Sequence, residues 1–453
     1  MNNVLVGGIE SYRDREGIRG FVEAAFGMDQ TIDSFLKASQ GPRLVVVKPN
    51  WVQESHEFQP DVWEPVITHP TLIEAVLEAL AERMEGQGTI CLCDAPNTCA
   101  NFKAILERGQ LQARTEIFRK RWPSMRLEVL DLRREIWLRR EQVIVERLPN
   151  TPDPRGYVAF NLGRASLLYD YAGEGRYFGA DYDTQIVNRH HHGEIQEYLL
   201  AGTPVACDLF VNLPKMKTHK KTGITCCLKN LVGITGDKDW LPHHTEGVPS
   251  KKGDEFPEES LSNTIEARIK KIGMKAALIV PRFGPFLYRK MRNSGIALLG
   301  SSETRIRNGN WSGNDTCWRM VLDLNRALLY GTREGGWCAD TQPKRYLAIV
   351  DGIVGGEGNS PLCPEAVRSQ TLVAGTAPAE VDAVVCRLMG FSLERLPLVL
   401  HAFDAHPLPI GKGDPLDLIV NDLRISESLH LRDLAPAIKG GFRPHFGWQS
   451  LVE

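Results

Sequence analysis

The segment Lys215-Met216-Lys217-Thr218-His219-Lys220-Lys221-Thr222-Gly223 gathers side chains suited to holding an anion and moving a proton on it. Lys215 and Lys217 supply positive charge, and His219, with an ordinary pKa near ~6.5, exchanges a proton around neutrality. These three are the catalytic candidates. An apolar run from Val205 to Val211 leads into Asn212 ahead of the segment, and Ile224 to Val232, carrying Lys229 and Asn230, follows it. Strand, cationic turn and helix start form an arrangement for anion binding. A helix beginning near Thr222 and Gly223 would turn free N–H groups and its positive dipole end toward the ligand. The plain alternative is a solvated basic face, the common fate of charge runs.

Other reactive side chains stand where apolar runs end. Lys48, Asn50 and Trp51 follow Leu44 to Val47, and a lysine leaving a buried strand must meet water or an anion. Asp94 and Asn97 follow Thr89 to Cys93. Asp351 follows Leu347 to Val350 and opens a glycine-rich stretch, Gly355-Gly356-Glu357-Gly358, that reads as a ligand loop because glycine lets backbone approach closely. The substrate-binding candidates are therefore Lys48, Asn50, Trp51, Asn212, Thr222, Gly223, Lys229, Asn230, Gly355, Gly356 and Gly358. His219, His243, His244, Asp94, Asp351 and Glu357 are the candidate metal ligands, and imidazole with carboxylate suits Fe, Mn or Zn. Adjacent histidines in extended chain point opposite ways, so only one of His243 and His244 reaches a pocket.

In open α/β sheets ligands collect beyond the carboxyl ends of the strands, so the elements decide whether these residues can meet. Pro70 to Met84 has apolar residues at helical spacing between two apolar runs, which makes a β-loop-α-β unit and implies a parallel sheet. Leu127 to Leu130 and Thr371 to Ala374 read as further strands, Phe102 to Arg108 and Pro378 to Met389 as helices. Residues 135–203 and 240–330 are polar and irregular. The expected fold is α/β, a mainly parallel sheet flanked by helices, forming a single domain over 1–453 with those two stretches as insertions.

The chain has 453 residues, 42% hydrophobic and 24% charged, with a net charge of −2. That balance argues against a nucleic-acid or membrane-surface partner; the basic cluster is local. With neither a spanning apolar run nor a signal-like start, the expected location is the cytoplasm. Ten cysteines lie singly or adjacent without a C-x-x-C pair, and read as reduced core thiols. An iron–sulfur cluster drawn from Cys91, Cys93, Cys99, Cys226 and Cys227 is the redox alternative, and a non-catalytic anion-binding protein is the other.

Several motifs carry a family resemblance: Asn212 to His219, Leu228-Lys229-Asn230-Leu231-Val232-Gly233, Lys238 with Leu241 to His244, Val47 to Trp51, Gly309 to Thr316, Val350 to Ile353 with Gly355 to Gly358, and Ala379 to Asp382. In these the chain resembles the bacterial and archaeal family named domain of unknown function 362. The resemblance attaches no general activity. Some relatives add a ferredoxin-like iron–sulfur segment with clustered cysteines, which this sequence lacks. The resulting expectation is an enzyme holding a small anionic metabolite, carboxylate or phosphate, in a Lys/His/carboxylate pocket, with a divalent metal as a possible helper.

Overall fold

A computed structural model describes residues 4–38, 43–140, 143–180, 184–279, 305–337 and 343–452. Parts of both expected insertions, and Cys338, lie outside them. Apolar runs rich in Val, Ile and Leu become the strands of one twelve-stranded sheet. Its strands are β1 (Val4–Gly8), β2 (Leu44–Pro49), β3 (Thr89–Asp94), β4 (Arg126–Asp131), β5 (Leu209–Leu213), β6 (Lys215–His219), β7 (Gly223–Thr225), β8 (Arg345–Asn359), β9 (Cys363–Val367), β10 (Thr371–Gly375), β11 (Ile419–Asp422) and β12 (Glu427–His430). Across the sheet the order is β12-β11-β1-β10-β8-β5-β2-β3-β4, with β6 and β9 also paired to β8, and β7 to β6. From β8 through β5, β2 and β3 to β4 every neighbour is parallel; β10 is antiparallel to both β8 and β1. The expected α/β class and mainly parallel sheet are what the structure shows.

Both faces of the sheet are covered, which is why its strands read as nearly continuous apolar runs. Side chains alternate between two cores: Val45, Val47, Leu209, Val211, Leu347 and Ile349 face one, while Val46, Phe210, Ala348 and Val350 face the other. Helices α1 (Arg15–Gly27), α2 (Gln30–Lys37), α3 (Pro70–Arg83) and α4 (Leu111–Arg121) close the first core. The second is closed by α5 (Cys227–Asn230), α6 (Cys317–Tyr330) and α7 (Pro378–Leu388). Helix α3 begins where Pro70 sets the first turn and His69 Nδ1 accepts the Thr71 N–H at 3.1 Å.

Four sequence expectations need correction. The strand placed at Val205 to Val211 starts at Leu209, because Gly202–Ala206 turns as a short helix. The helix expected from Thr222 is a hairpin: β6 and β7 pair antiparallel around Lys220 to Thr222, with Gly223 at φ +78° closing the turn. The glycine loop is absorbed into β8, a fifteen-residue strand whose far half pairs with β9. Finally, the second excursion ends before α6, whose Met320, Val321, Leu324 and Leu328 belong to the core. The excursions also carry order of their own, since Tyr157–Asn161, Ile195–Ala201 and His191–His192 form a small sheet, and Tyr177–Phe178 pairs with His244–Thr245.

Candidate functional site: a lysine-lined cavity

β5 and β6 run as one extended stretch along β8, interrupted at Pro214: Leu209 to Asn212 match Arg345 to Ala348, then Lys215 matches Asp351 and Lys217 matches Gly356. The register slips between Lys215 and Lys217, and the two side chains part company. Lys215 Nζ, fully buried, donates to Asp351 Oδ2 at 2.9 Å and to Tyr12 Oη at 2.9 Å. Asp351 also accepts from Tyr12 Oη and from the His69 N–H. That cluster lies on the side of the sheet where Tyr12 stacks on His69, ring centroids 3.6 Å apart. Lys217 instead lines a cavity of about 320 Å³ at the carboxyl edge of the parallel strands.

The cavity draws on the expected strand exits that carry Lys48, Asp94 and Lys217; the exit at Asp351 and the one after Thr371 to Ala374 lie outside it. Lys48 comes from β2, Asp94 from β3, Lys217 and His219 from β6, Lys229 and Asn230 from α5, and Lys238 and His243 from the loop that follows. Lys48 and Asp94 form a buried pair, Nζ to Oδ1 2.9 Å, and Lys48 also donates to the Pro49 carbonyl and Asn230 Oδ1. Asp94 Oδ2 takes the Trp51 N–H at 2.7 Å. Gly233 packs directly over this pair: a Cβ there would collide with Asp94 Oδ1 and sit 2.5 Å from Lys48 Nζ. Asn230 Nδ2 bonds Asn212 Oδ1 at 2.6 Å and Asn50 Nδ2 bonds Asn230 Oδ1 at 2.8 Å, so an asparagine relay fixes the floor.

The remaining lysines have no such counter-ion. Among the described residues, none of Lys217, Lys220, Lys221, Lys229 and Lys238 is paired with a carboxylate. Lys217 Nζ donates only to the Val66 carbonyl at 2.6 Å, Lys221 to the Asn308 carbonyl, and Lys238 to the carbonyls of Val232 and Thr235. Burial depresses several of them: Lys217 falls well below the usual lysine range, helped by Lys215, while Lys238 drops to about 7 and Lys221 to about 8. Burial also lowers Lys229. An uncompensated ammonium out of water costs several kcal/mol in real proteins, roughly the scale of a small domain's whole stability. Asp94, the cavity's one acid, is already spent on Lys48.

The two cavity histidines differ in which nitrogen is left for a ligand. His219 Nδ1 accepts the Lys221 N–H at 3.0 Å, so the neutral ring carries its proton on Nε2. His243 Nδ1 lies 2.8 Å from the Leu241 carbonyl, an acceptor only, so that nitrogen holds the proton and Nε2 keeps its lone pair. Burial and the surrounding lysines, Lys229 foremost, hold His219 well below the ordinary histidine value. Burial and Lys221 take His243 down to about 3. One neutral imidazole can donate and the other can accept.

Several sequence candidates sit elsewhere. Thr222 Oγ1 and Gly223 belong to the hairpin turn; Gly223 packs against Leu396 and Trp448. Asn212 lies beneath the floor, held by Asn230 and Tyr346. Trp51 is buried against Phe102. The helix-dipole expectation fails physically, because α5 has four residues and Asp382 already takes its Cys227 and Leu228 N–H groups. Gly355 and Gly356 serve strand packing: a Cβ on Gly356 would meet the Pro65 carbonyl at 2.9 Å and Lys217 Cβ at 3.0 Å. Gly358, at φ +70°, lies beside Arg443.

Of the six expected metal donors, Asp94, His219 and His243 line the cavity without bringing three donor atoms within 4.8 Å, and the other three lie elsewhere. Asp351 is committed to Lys215, Glu357 accepts the Arg443 N–H, and His244 turns away from His243 to stack on Phe178, centroids 4.7 Å apart. Among the described residues only Cys226, Cys227 and Asp382 bring three donor atoms within 4.8 Å. Cys226 and Cys227 are in contact, Sγ to Sγ 3.9 Å, while Cys91 bonds Glu128 and Cys99 lies by Thr98, so the five cysteines considered for a cluster do not assemble as one set of ligands. Sequence reasoning passed over Lys220, Lys221 and Lys238 as ligand groups. Their signal was present, Lys220 and Lys221 by adjacency to His219 and Lys238 in the Asp237-Lys238-Asp239 run.

Fold and cavity together define an α/β protein with a cationic pocket at the carboxyl edge of its parallel strands. The chain belongs to the family named domain of unknown function 362, whose family model matches residues 138–387, the stretch that supplies β5 to β10 and all the cavity lysines except Lys48. No curated protein matches the chain. A crystal structure of a Thermotoga maritima protein, a structural-genomics target, is similar to it at 10% identity with a TM-score of 0.29. The alignment covers 78% of this chain and 53% of that one, so the chain spans about half that protein's length, and a likeness this distant carries no argument. No helix among the described residues is long and apolar enough to cross a membrane.

Proposed function

We propose that the protein is an enzyme that binds a small anionic metabolite in the lysine cavity and performs acid–base chemistry on it. The observation that carries this reading is the set of lysines, Lys217, Lys229 and Lys238 among them, buried around one cavity without carboxylate partners. A structural role would leave their desolvation uncompensated; a bound carboxylate or phosphate compensates it. His243 Nε2, with its lone pair, is the proton acceptor, and His219 Nε2–H donates to charge developing on the substrate. Anion binding raises both histidines by neutralising the lysines around them, which brings His243 nearer the range of a working base.

A divalent ion has no assembled set of side-chain donors at this cavity among the described residues, so in this reading it would enter with the anion. The redox alternative rests on Cys226, Cys227 and Asp382, of which Asp382 already caps α5. Nine described cysteines, all free, fit a cytoplasmic location. The test is calorimetric titration of purified protein with phosphate, pyrophosphate and citrate, then incubation with ligands recovered by mass spectrometry. Saturable binding lost in Lys217→Ala supports the reading; no heat with any anion at millimolar concentration ends it. Binding without turnover would leave a carrier or sensor instead of an enzyme.

A further inference from the structure

The cavity's charge and hydrogen-bonding groups narrow the class of anion. Resting on the anion-binding reading, we infer that the ligand is a small hydroxylated metabolite carrying two phosphoryl groups. The first ground is the number of charges. Five lysines face the cavity without a carboxylate, and Lys48 is neutralised by Asp94. A carboxylate offsets one charge and a phosphomonoester about 1.5 to 2. Burial lowers Lys217, Lys221, Lys229 and Lys238 in the empty cavity and a bound anion raises them again, so a cluster of five ammoniums exceeds what one phosphoryl group offsets and matches two.

The second ground is the type of cation. Six lysines and one arginine line the cavity. Arginine's fork serves carboxylate and phosphate alike, while lysine binds phosphoryl oxygens as a point charge, so a cavity lined almost wholly by ammoniums admits phosphoryl groups without the geometric demand of a fork. Lys229 shares the cavity with all of these groups, and its charge acts on Lys217, His219, Lys238 and His243 alike. Acting on four neighbours at once, Lys229 is the lysine whose removal should most affect a ligand with two phosphoryl groups.

The third ground is independent of charge. Asn50 lines the cavity at 8% exposure, its Nδ2 is spent on Asn230, and its Oδ1 has no hydrogen-bond partner. A buried acceptor left open beside bound anions calls for a donor on the ligand, and a hydroxyl supplies it. The cavity volume, at the low end of the range for small-molecule sites, suits a metabolite of sugar size.

The test is titration calorimetry on the full chain with five probes: inorganic phosphate, pyrophosphate, citrate, fructose 6-phosphate and fructose 1,6-bisphosphate. The expected result is binding of pyrophosphate and the bisphosphate at least thirtyfold tighter than phosphate, citrate or the monophosphate, with the bisphosphate ahead of pyrophosphate. Lys229→Met should shrink the bisphosphate-over-monophosphate ratio toward one, and Asn50→Ala should remove the bisphosphate's lead over pyrophosphate. Lys221→Gln, nearer the rim, tests the same ratio should Lys229→Met misfold. Equal affinities for phosphate, citrate and the bisphosphate would overturn the inference while leaving an anion site standing. Failure of all five would bring down the anion-binding reading itself.

Discussion

At the scale of single residues, the cavity lysines trade stability for binding, and Lys229 states the case most simply. It is 8% exposed and its ammonium makes neither an ion pair nor a hydrogen bond among the described residues. Lys229→Met keeps the stem and removes the stranded charge, so the ligand-free protein should gain about 1–2 kcal/mol, read as a higher denaturation midpoint. The same change should weaken anion binding ten- to a hundredfold, the worth of one charge-assisted hydrogen bond at ~1.5–3 kcal/mol. A variant that loses stability and binding together would mean that Lys229 is structural. The pH dependence follows from Lys238 at about 7 and Lys221 at about 8. An anion binds their protonated forms and raises both, so affinity should be greatest below pH 7 and fall as pH rises through 7 to 9, with proton uptake on binding seen as a buffer-dependent heat.

At the scale of elements, the reading of 215–232 shows what sequence could and could not deliver. The alternation of Lys215, Lys217 and His219 has the two-residue period of a strand, yet three cationic side chains facing inward contradict the usual composition of a buried strand, so a loop was the natural reading. The burial is tolerable only because a cavity lies behind Lys217 and His219 and Asp351 behind Lys215. In sequence, Gly223 beside Thr222 suits a helix cap as well as a hairpin turn; the pairing of β6 with β7 decides for the turn. The stretch after Asp351 misled for a related reason, since glycines that admit Lys217 and Pro65 close to β8 look in sequence like glycines of a loop. Gly233, within the family motif, carries its own prediction. Gly233→Ala would push a methyl into the Lys48–Asp94 pair, and breaking a buried pair costs about 3–5 kcal/mol. Chemical denaturation should show that loss, and Gly236→Ala cannot serve as a control because it too collides, with Tyr157.

At the scale of the molecule, the parallel half of the sheet was legible because β2, β3, β5 and β8 are apolar runs separated by helical spacing. The antiparallel edge was not: β1 sits between β10 and β11, partners more than 360 residues away in sequence, and no local pattern encodes so distant a pairing. Convergence of Lys48, Asp94 and Lys217 was foreseeable from topology, whereas the separation of Lys215 from Lys217 depends on a register slip. The assembled charges give the folded chain an unusual response to pH. Lys238 and Lys221 have folded values of about 7 and about 8, below the ~10.4 of an unfolded lysine. Between those limits the unfolded chain holds protons that the folded one has released, so stability rises with pH. Asp239, raised to about 7, and Asp382, raised to about 6, work in the opposite sense only below that window. Above the ordinary thiol range, Cys93 and Cys226, held high by burial, stay protonated in the fold while the unfolded chain ionises, and stability turns down. The two lysines should therefore contribute about 2 kcal/mol of stability between pH ~7 and ~8.5, readable as the pH-dependent difference in thermal melts between the ligand-free protein and a Lys221→Gln, Lys238→Met double variant. Saturating pyrophosphate should stabilise most at the low end of that window and flatten the rise, because the bound anion restores the protons that burial had driven off. A difference between the two proteins that stays flat from pH ~7 to ~8.5 without ligand would show that these lysines keep their charge inside the fold, already compensated by something other than an incoming anion.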